Sequence, residues 1–297
     1  MKTLVRWLLG VGVGSVALPR AEAQAMAGSQ AVVYPVAVQG EVARFQVPQV
    51  RLPDAAVARC INRQLLAFVT AEFSTIDSTA SPRRQLQQAA RECCYDEDTK
   101  TWWAGGLGLS ATSYGVLLNQ SYLLSFAFSR DWQGLTEPAT QHLTFCLRTG
   151  RLLTLPELVA DPPAQLERRL GLAIIRRLHD ELAGVVASYG DDSTLITHVA
   201  QLYGIEHWNT TPQADQRLYA GDGAEADPYE SLFYLTEFAL RPDALLLFHP
   251  VGMSRLDFEF LPDGAYVFTY DRLQPRGILH SLVKAGQVKK KPRGKLK

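Results

Sequence analysis

Long hydrophobic runs are what this sequence lacks most plainly. A membrane-spanning helix needs roughly 20 consecutive apolar residues, and the nearest approach, Trp7 to Leu18, is shorter and is broken by Gly10, Gly12 and Gly14. No transmembrane span is therefore expected. Metal and nucleophile signatures are missing too. The four cysteines and six histidines include no Cys-x-x-Cys and no His-Glu-x-x-His spacing, so no metal site is expected. A strained Gly-x-Ser-x-Gly turn, which would expose a nucleophilic hydroxyl, is also absent. Gly108-Leu109-Ser110-Ala111-Thr112 and Gly252-Met253-Ser254-Arg255-Leu256 each lack the second glycine. No Lys-Ser or Lys-Thr follows a glycine loop, so neither a phosphate cradle nor a bound cofactor is expected.

What is present begins with an export signal. Lys2 and Arg6 supply the positive start, Trp7 to Leu18 the apolar run, and Ala21-Glu22-Ala23 or Ala23-Gln24-Ala25 a small-residue cleavage site. Residues 1–25 are expected to be removed, leaving a periplasmic or extracellular protein. With 47% hydrophobic residues and 20% charged ones, the remainder has the composition of a packed globular body. The formal net charge of zero hides an asymmetry. Residues 1–23 carry Lys2, Arg6 and Arg20 against Glu22, and residues 284–297 carry seven basic residues and no acid, which leaves about −9 on the body. An acidic body would repel nucleic acid, so that partner is not expected. The tail from Lys284 to Lys297 has too little apolar surface to offset its ordering entropy and is expected to be disordered.

Periodicity indicates an α+β fold with largely antiparallel sheet built from hairpins packed against a few amphipathic helices. Ala31–Val38 and Ala43–Val50 read as strands, and Asp54 as the N-cap of a helix from Ala55 to about Phe73. Ser81-Pro82 starts a polar helix to about Glu92, expected on the surface. Leu109–Leu118 and Ser121–Phe128 read as a hairpin turning at Asn119-Gln120, and Gln141–Leu147 with Arg151–Leu155 as a second one turning at Arg148-Thr149-Gly150. Asp161-Pro162-Pro163 opens the longest helix, to about Ser188, with Leu166, Leu170, Ile174, Leu178, Leu182 and Val185 along one stripe. Thr194–Tyr203 is a shorter helix. Strands follow near 231–240, 244–249 and 265–270, beyond an acidic loop over 211–227. The body, 26–283, divides into an N-terminal half (26–160) and a C-terminal half (161–283).

The run from Ser113-Tyr114-Gly115-Val116-Leu117-Leu118-Asn119 through Leu123-Leu124-Ser125-Phe126, followed by Leu143-Thr144-Phe145-Cys146-Leu147-Arg148-Thr149-Gly150-Arg151 to Leu158, resembles the bacterial envelope domain of RsiV-type lysozyme sensors, also found beside peptidoglycan deacetylases. Cys60-Ile61-Asn62 upstream and the block from Phe233 to Tyr270-Asp271-Arg272-Leu273 fit the same pattern, so the resemblance covers most of 31–275. It implies an extracytoplasmic binding or accessory domain, because deacetylase chemistry belongs to a separate catalytic domain. The Gly-Gly-Ala-His segment usual in that family is replaced here by Arg130-Asp131-Trp132-Gln133-Gly134-Leu135-Thr136-Glu137. No ligand contact carries over through that loop. The cytoplasmic sigma-factor-binding segment is also missing, so an anti-sigma role is not expected.

Four cysteines in an exported chain, Cys60, Cys93, Cys94 and Cys146, point to one or two disulfides. A bridge between neighbours is strained, which favours pairing one of Cys93 and Cys94 with Cys60 across two helices. Cys146 is then a free buried thiol or the partner of the remaining cysteine. His142, His179, His198, His207, His249 and His280 are scattered singly and read as ordinary surface or core residues. Glu206-His207-Trp208 forms no dyad if extended, because neighbours on a strand face opposite ways. Asp222, Glu225, Asp227 and Glu230 miss the alternating order of a calcium loop and read as solvated. Trp102, Trp103 and Trp132 are the weak binding candidates, since an exposed indole suits a sugar ring or a partner protein. The expectation is a non-enzymatic module that binds an envelope glycan such as peptidoglycan, or an extracellular protein such as a lysozyme. The alternative is an envelope polysaccharide hydrolase or deacetylase-type enzyme whose site no motif reveals.

Overall fold

The computed structural model describes residues 30–40, 42–103, 109–132, 139–190, 192–205, 235, 237–249 and 255–290. The expected export signal, Glu206-His207-Trp208, the acidic loop with Asp222, Glu225, Asp227 and Glu230, and the Gln133–Glu137 segment lie outside the described residues.

The fold is α+β. In the N-terminal half, β1 (Val32–Gln39) and β2 (Arg44–Arg51) pair antiparallel along their whole length. They are followed by α1 (Ala55–Thr70), α2 (Pro82–Cys94), a miniature hairpin of β3 (Tyr95–Asp96) and β4 (Thr101–Trp102), and then β5 (Leu109–Gln120), β6 (Leu123–Trp132) and β7 (Ala139–Cys146). A five-stranded sheet runs β1-β2-β5-β6-β7, and only the β2–β5 pairing is parallel. Beyond the large sheet come the short α3 (Leu155–Leu158), the long α4 (Pro163–Tyr189), α5 (Ser193–Leu202), and a three-stranded antiparallel sheet of β8 (Phe238–Leu240), β9 (Ala244–Phe248) and β10 (Ala265–Thr269). Last comes α6 (Gly277–Lys290).

The two-residue alternation of β6 serves both faces of the large sheet. Leu124, Phe126 and Phe128 enter a core with Phe45, Ile61 and Leu65 under α1 and α2. Leu123 instead joins the core formed by α4, α5 and the small sheet. On that second face Ser125 is buried. Its hydroxyl bonds that of Thr144 at 2.9 Å and accepts from the Leu240 amide at 3.1 Å, tying β6 and β7 to β8. The helix starts follow from capping. Asp54 Oδ1 accepts from the amides of Ala56 and Val57, and Ser81 Oγ from that of Arg84, with Pro82 in the first turn.

Several expectations need correction. The β5–β6 turn is Ser121-Tyr122, both with positive φ, two residues beyond Asn119-Gln120. Asn119 stays in the strand because its side chain bonds Ala31 in both directions, at 2.9 and 2.7 Å. The second hairpin is only a stub, with the bridge Phe145–Leu152 and a bond from the Leu153 amide to Thr144. Leu155 already opens α3, where Glu157 and Thr154 form a capping box. The polar helix α2 is not wholly superficial, since Leu86, Ala89, Ala90 and Cys94 are buried. The basic tail is helical as far as Lys290. Leu279 and Leu282 anchor α6 in the core. Residues 291–297 lie outside the described residues.

The cysteine expectation also changes. Cys93 and Cys94 are bonded to each other, while Cys60 and Cys146 are thiols. Cys60 belongs to a face of α1 that meets the turn after β7, where the amide of Gln64 donates to the Cys60 sulfur at 3.4 Å and to the Gly150 carbonyl at 2.9 Å. Gly150 has φ +73°, and a Cβ there would lie 3.0 Å from the Val57 carbonyl oxygen and 3.1 Å from Cys60 Cβ. Gly150→Ala is expected to destabilise the fold by roughly 1–3 kcal/mol through left-handed strain alone, measurable as a lower urea midpoint; an unchanged midpoint would refute the tight packing of this turn on α1.

Candidate functional site

The most coherent surface site is built around α2. Its buried face consists of Gln85, Leu86, Ala89, Ala90 and Cys94. The face turned the other way carries Arg84, Gln87, Gln88 and Arg91, spaced i, i+3, i+4 and i+7, so their side chains share one stripe. This stripe forms one wall of a cleft of about 440 Å³. The β1–β2 hairpin end at Gly40 and the indole of Trp102 form the rest. Glycine at position 40 makes a tight reversal, its amide donating to the Ala43 carbonyl at 2.9 Å.

Trp102 is held on the miniature hairpin β3–β4, where it pairs with Tyr95 and their rings meet edge to face at 5.3 Å. The connecting turn is stiffened by Asp96, whose carboxylate accepts from the amides of Asp98 and Thr99. Those bonds, that of the Thr99 side chain first, hold its pKa below the ordinary value. Trp102 is nevertheless 50% exposed and Trp103 56%, high for a residue type that is usually buried. Trp132 differs. It is half-buried at the end of β6, packs on the first core and lies under the Arg130 guanidinium. Of the three tryptophans, the structure brings only Trp102 into the cleft.

Two of the four stripe residues are already oriented. Arg91 makes two bonds to the Glu97 carboxylate, at 2.6 and 3.0 Å, and lies over the Tyr95 ring; the pairing lowers the Glu97 pKa. Gln88 accepts from the Asp77 amide at 3.1 Å, which leaves its NH₂ as a donor. Arg84 and Gln87 have no hydrogen bond from their side chains to other described residues. The wall therefore offers guanidinium and amide donors next to a flat aromatic face.

The same helix is clamped to the loop that precedes it. Glu92 receives the Ser74 amide and hydroxyl at 2.8 and 2.9 Å, the Thr75 amide at 2.9 Å, and the Thr75 hydroxyl. Partial burial pushes its pKa up, but the Thr75 and Ser74 bonds outweigh this and bring it to about 2, against 4.5 for a free side chain. The clamp thus contributes stability above pH 4.5 that is lost as pH falls from 4.5 towards 2. The thermal midpoint is expected to drop across that window, and Glu92→Gln to flatten part of the drop. An identical pH profile for Glu92→Gln would contradict the clamp. Glu157 in the α3 capping box, also brought to about 2 chiefly by Arg151, accounts for part of what remains.

Histidine places little chemistry elsewhere. His142 Nδ1 lies 2.7 Å from Glu237 Oε1 and its ring stacks on Phe248 at 3.6 Å, which joins β7 to the small sheet. His198 pairs with Asp257 at 2.9 Å. Among the described residues no three His, Cys, Asp or Glu side chains gather in a way that could hold a metal ion. No helix is long and apolar enough to cross a membrane, again among the described residues.

Comparison with known proteins adds the fold. A DUF3298 family member from Bacteroides fragilis shares it, with a TM-score of 0.50 and 13% identity over 86% of this chain and 99% of that one. A second solved DUF3298 structure, from Pseudomonas aeruginosa, aligns over 84% of this chain and 94% of its own, with a TM-score of 0.36 and 12% identity. No family model matches the sequence, and no curated protein does. At 13% identity the likeness to the Bacteroides fragilis protein concerns the fold.

Sequence reading named Trp102 but missed the donors opposite it. The signal was available, since Arg84, Gln87, Gln88 and Arg91 recur at helical spacing on a helix that the sequence delimits. What could not be read locally was that Gly40 and Trp102 close over that stripe.

Proposed function

We propose that the chain is an exported, non-enzymatic binding domain of the bacterial envelope, and that the cleft between α2, Gly40 and Trp102 takes one or two sugar units of an envelope glycan such as peptidoglycan. The observation that carries this reading is the half-exposed Trp102 facing a stripe of guanidinium and amide donors. A pyranose ring presents an apolar C–H face to an indole and hydroxyls or acetamido groups to such donors. The export signal and the resemblance to the envelope domain of RsiV-type sensors support the compartment.

The exposed pair Trp102 and Trp103 favours a second reading, a basic lysozyme-like protein docking on the acidic body. Exposed tryptophans serve well as interface anchors, and charge complementarity would speed association. Pelleting the mature protein with purified peptidoglycan sacculi at low and high salt separates these readings. Salt-resistant pelleting without released fragments is the expected result. Released fragments would establish an enzyme, and no pelleting would refute the glycan reading and move the search to protein ligands.

A further inference from the structure

A second surface, remote in sequence from the Trp102 cleft, has the makings of an anion site. Along α4, residues 169, 172, 173, 176, 177 and 180 share one face. That face borders β10, the edge strand of the small sheet. Between them runs a groove of about 620 Å³ lined by Arg169, Arg176, Arg177 and Arg272, with Asp180 and Glu181 as its acids. Four guanidinium groups line it with the carboxylates of Asp180 and Glu181, while Asp161 is already paired with Arg169 and Asp263 lies near Tyr266.

Two of these arginines are fixed in place. Arg177 donates to the carbonyls of Asp263 and Ala265, the latter at 2.7 Å, and lies 4.2 Å from the centroid of the Tyr266 ring. Arg169 lies 5.3 Å from the Phe268 centroid and 3.3 Å from the Asp161 carboxylate. Arg176 and Arg272 are exposed and form no ion pair among the described residues. The groove thus combines preset guanidinium groups with two that are able to close on a ligand, the arrangement suited to forked recognition of an oxyanion.

A second observation points the same way. Tyr266 lines the groove with only 2% of its surface exposed, and its hydroxyl, beside the Arg177 guanidinium, makes no well-formed hydrogen bond. The nearby Arg177 already donates to two backbone carbonyls. A buried hydroxyl left unpaired is costly, and an oxyanion in the groove would accept from it. Beside it Val267 is 55% exposed and Leu172 is exposed as well, so an apolar portion of the ligand would have a surface to lie on.

We infer that the α4–β10 groove binds a phosphate group, with Arg176 and Arg272 closing on its oxygens and Tyr266 donating to them. The phosphate could belong to a soluble phosphorylated glycan or to a lipid headgroup. The full mature chain is titrated with inorganic phosphate by calorimetry at low salt, and separately pelleted with vesicles of phosphatidylglycerol or of phosphatidylcholine. Arg176→Ala/Arg272→Ala is expected to weaken phosphate binding about tenfold or more, as loss of charged hydrogen bonds does. Arg168→Ala, exposed on the same helix but outside the groove, is expected to leave it unchanged. Tyr266→Phe is expected to weaken phosphate binding while keeping the fold. Phosphatidylglycerol pelleting that the double variant loses would assign the phosphate to a lipid; phosphate binding without pelleting would assign it to a soluble ligand. No phosphate binding by the unaltered chain, or an equal loss in Arg168→Ala, would overturn the proposal.

Discussion

Phe126→Ala is expected to destabilise the protein by about 3–5 kcal/mol, since a fully buried aromatic is removed from a core unable to collapse around the gap. Phe126 has no exposed surface and meets the rings of Tyr114, Phe128 and Phe145 at centroid distances of 6.1, 5.6 and 6.3 Å. The ring belongs to the layer between the large sheet and α1/α2, both of which are backbone-bonded and cannot close inward without losing ladder or capping bonds. Total stabilities of roughly 5–15 kcal/mol make such a loss a large share of the whole. Urea unfolding should show a much lower midpoint with a similar slope. A shift no larger than that of an exposed substitution would mean that this core is not packed as described.

Trp102→Ala is expected to cost about 2 kcal/mol of glycan binding, roughly thirtyfold in Kd, as loss of an aromatic anchor typically does. Stability should change little, because Trp102 is already half exposed and meets Tyr95 only edge to face. Trp103→Ala is the natural comparison. It is exposed to a similar degree but does not line the cleft, so it should bind nearly as the parent does. Trp132→Ala should instead lower stability, since that ring packs on the core. Equal losses of binding in the Trp102 and Trp103 variants would indicate a diffuse sticky surface, and the cleft would lose its claim.

Local signals carried much of the fold into view, and their failures have physical causes. Asp54 and Ser81-Pro82 start helices because side-chain acceptors and a proline meet the orphan amides of a first turn, a requirement that depends on a few neighbours. The stripe from Leu166 to Leu182 is legible because the whole helix packs one face on a single core. The β5–β6 turn was misplaced because Asn119, a good turn residue, is recruited by Ala31 at the far edge of the same sheet region. The positive φ values fall instead on Ser121 and Tyr122, which carry no such signal. Helix α6 was hidden by its lysines. Its stability comes from Leu279 and Leu282 docking in the second core, a tertiary effect that composition does not record.

The site divides the same way. Trp102 stood out as a residue type, but its exposure depends on the miniature hairpin that props it away from the core. Cys60 was expected to reach across to α2, and the tight packing of Gly150 on α1 explains why it faces another way.

The most direct test of the glycan cleft is to follow the indole N–H signals of the ¹⁵N-labelled protein by NMR while adding soluble peptidoglycan fragments. The account predicts that the Trp102 signal moves and saturates while that of Trp132 stays in place. A Trp102 signal that remains unmoved at fragment concentrations where binding is otherwise detected would contradict it.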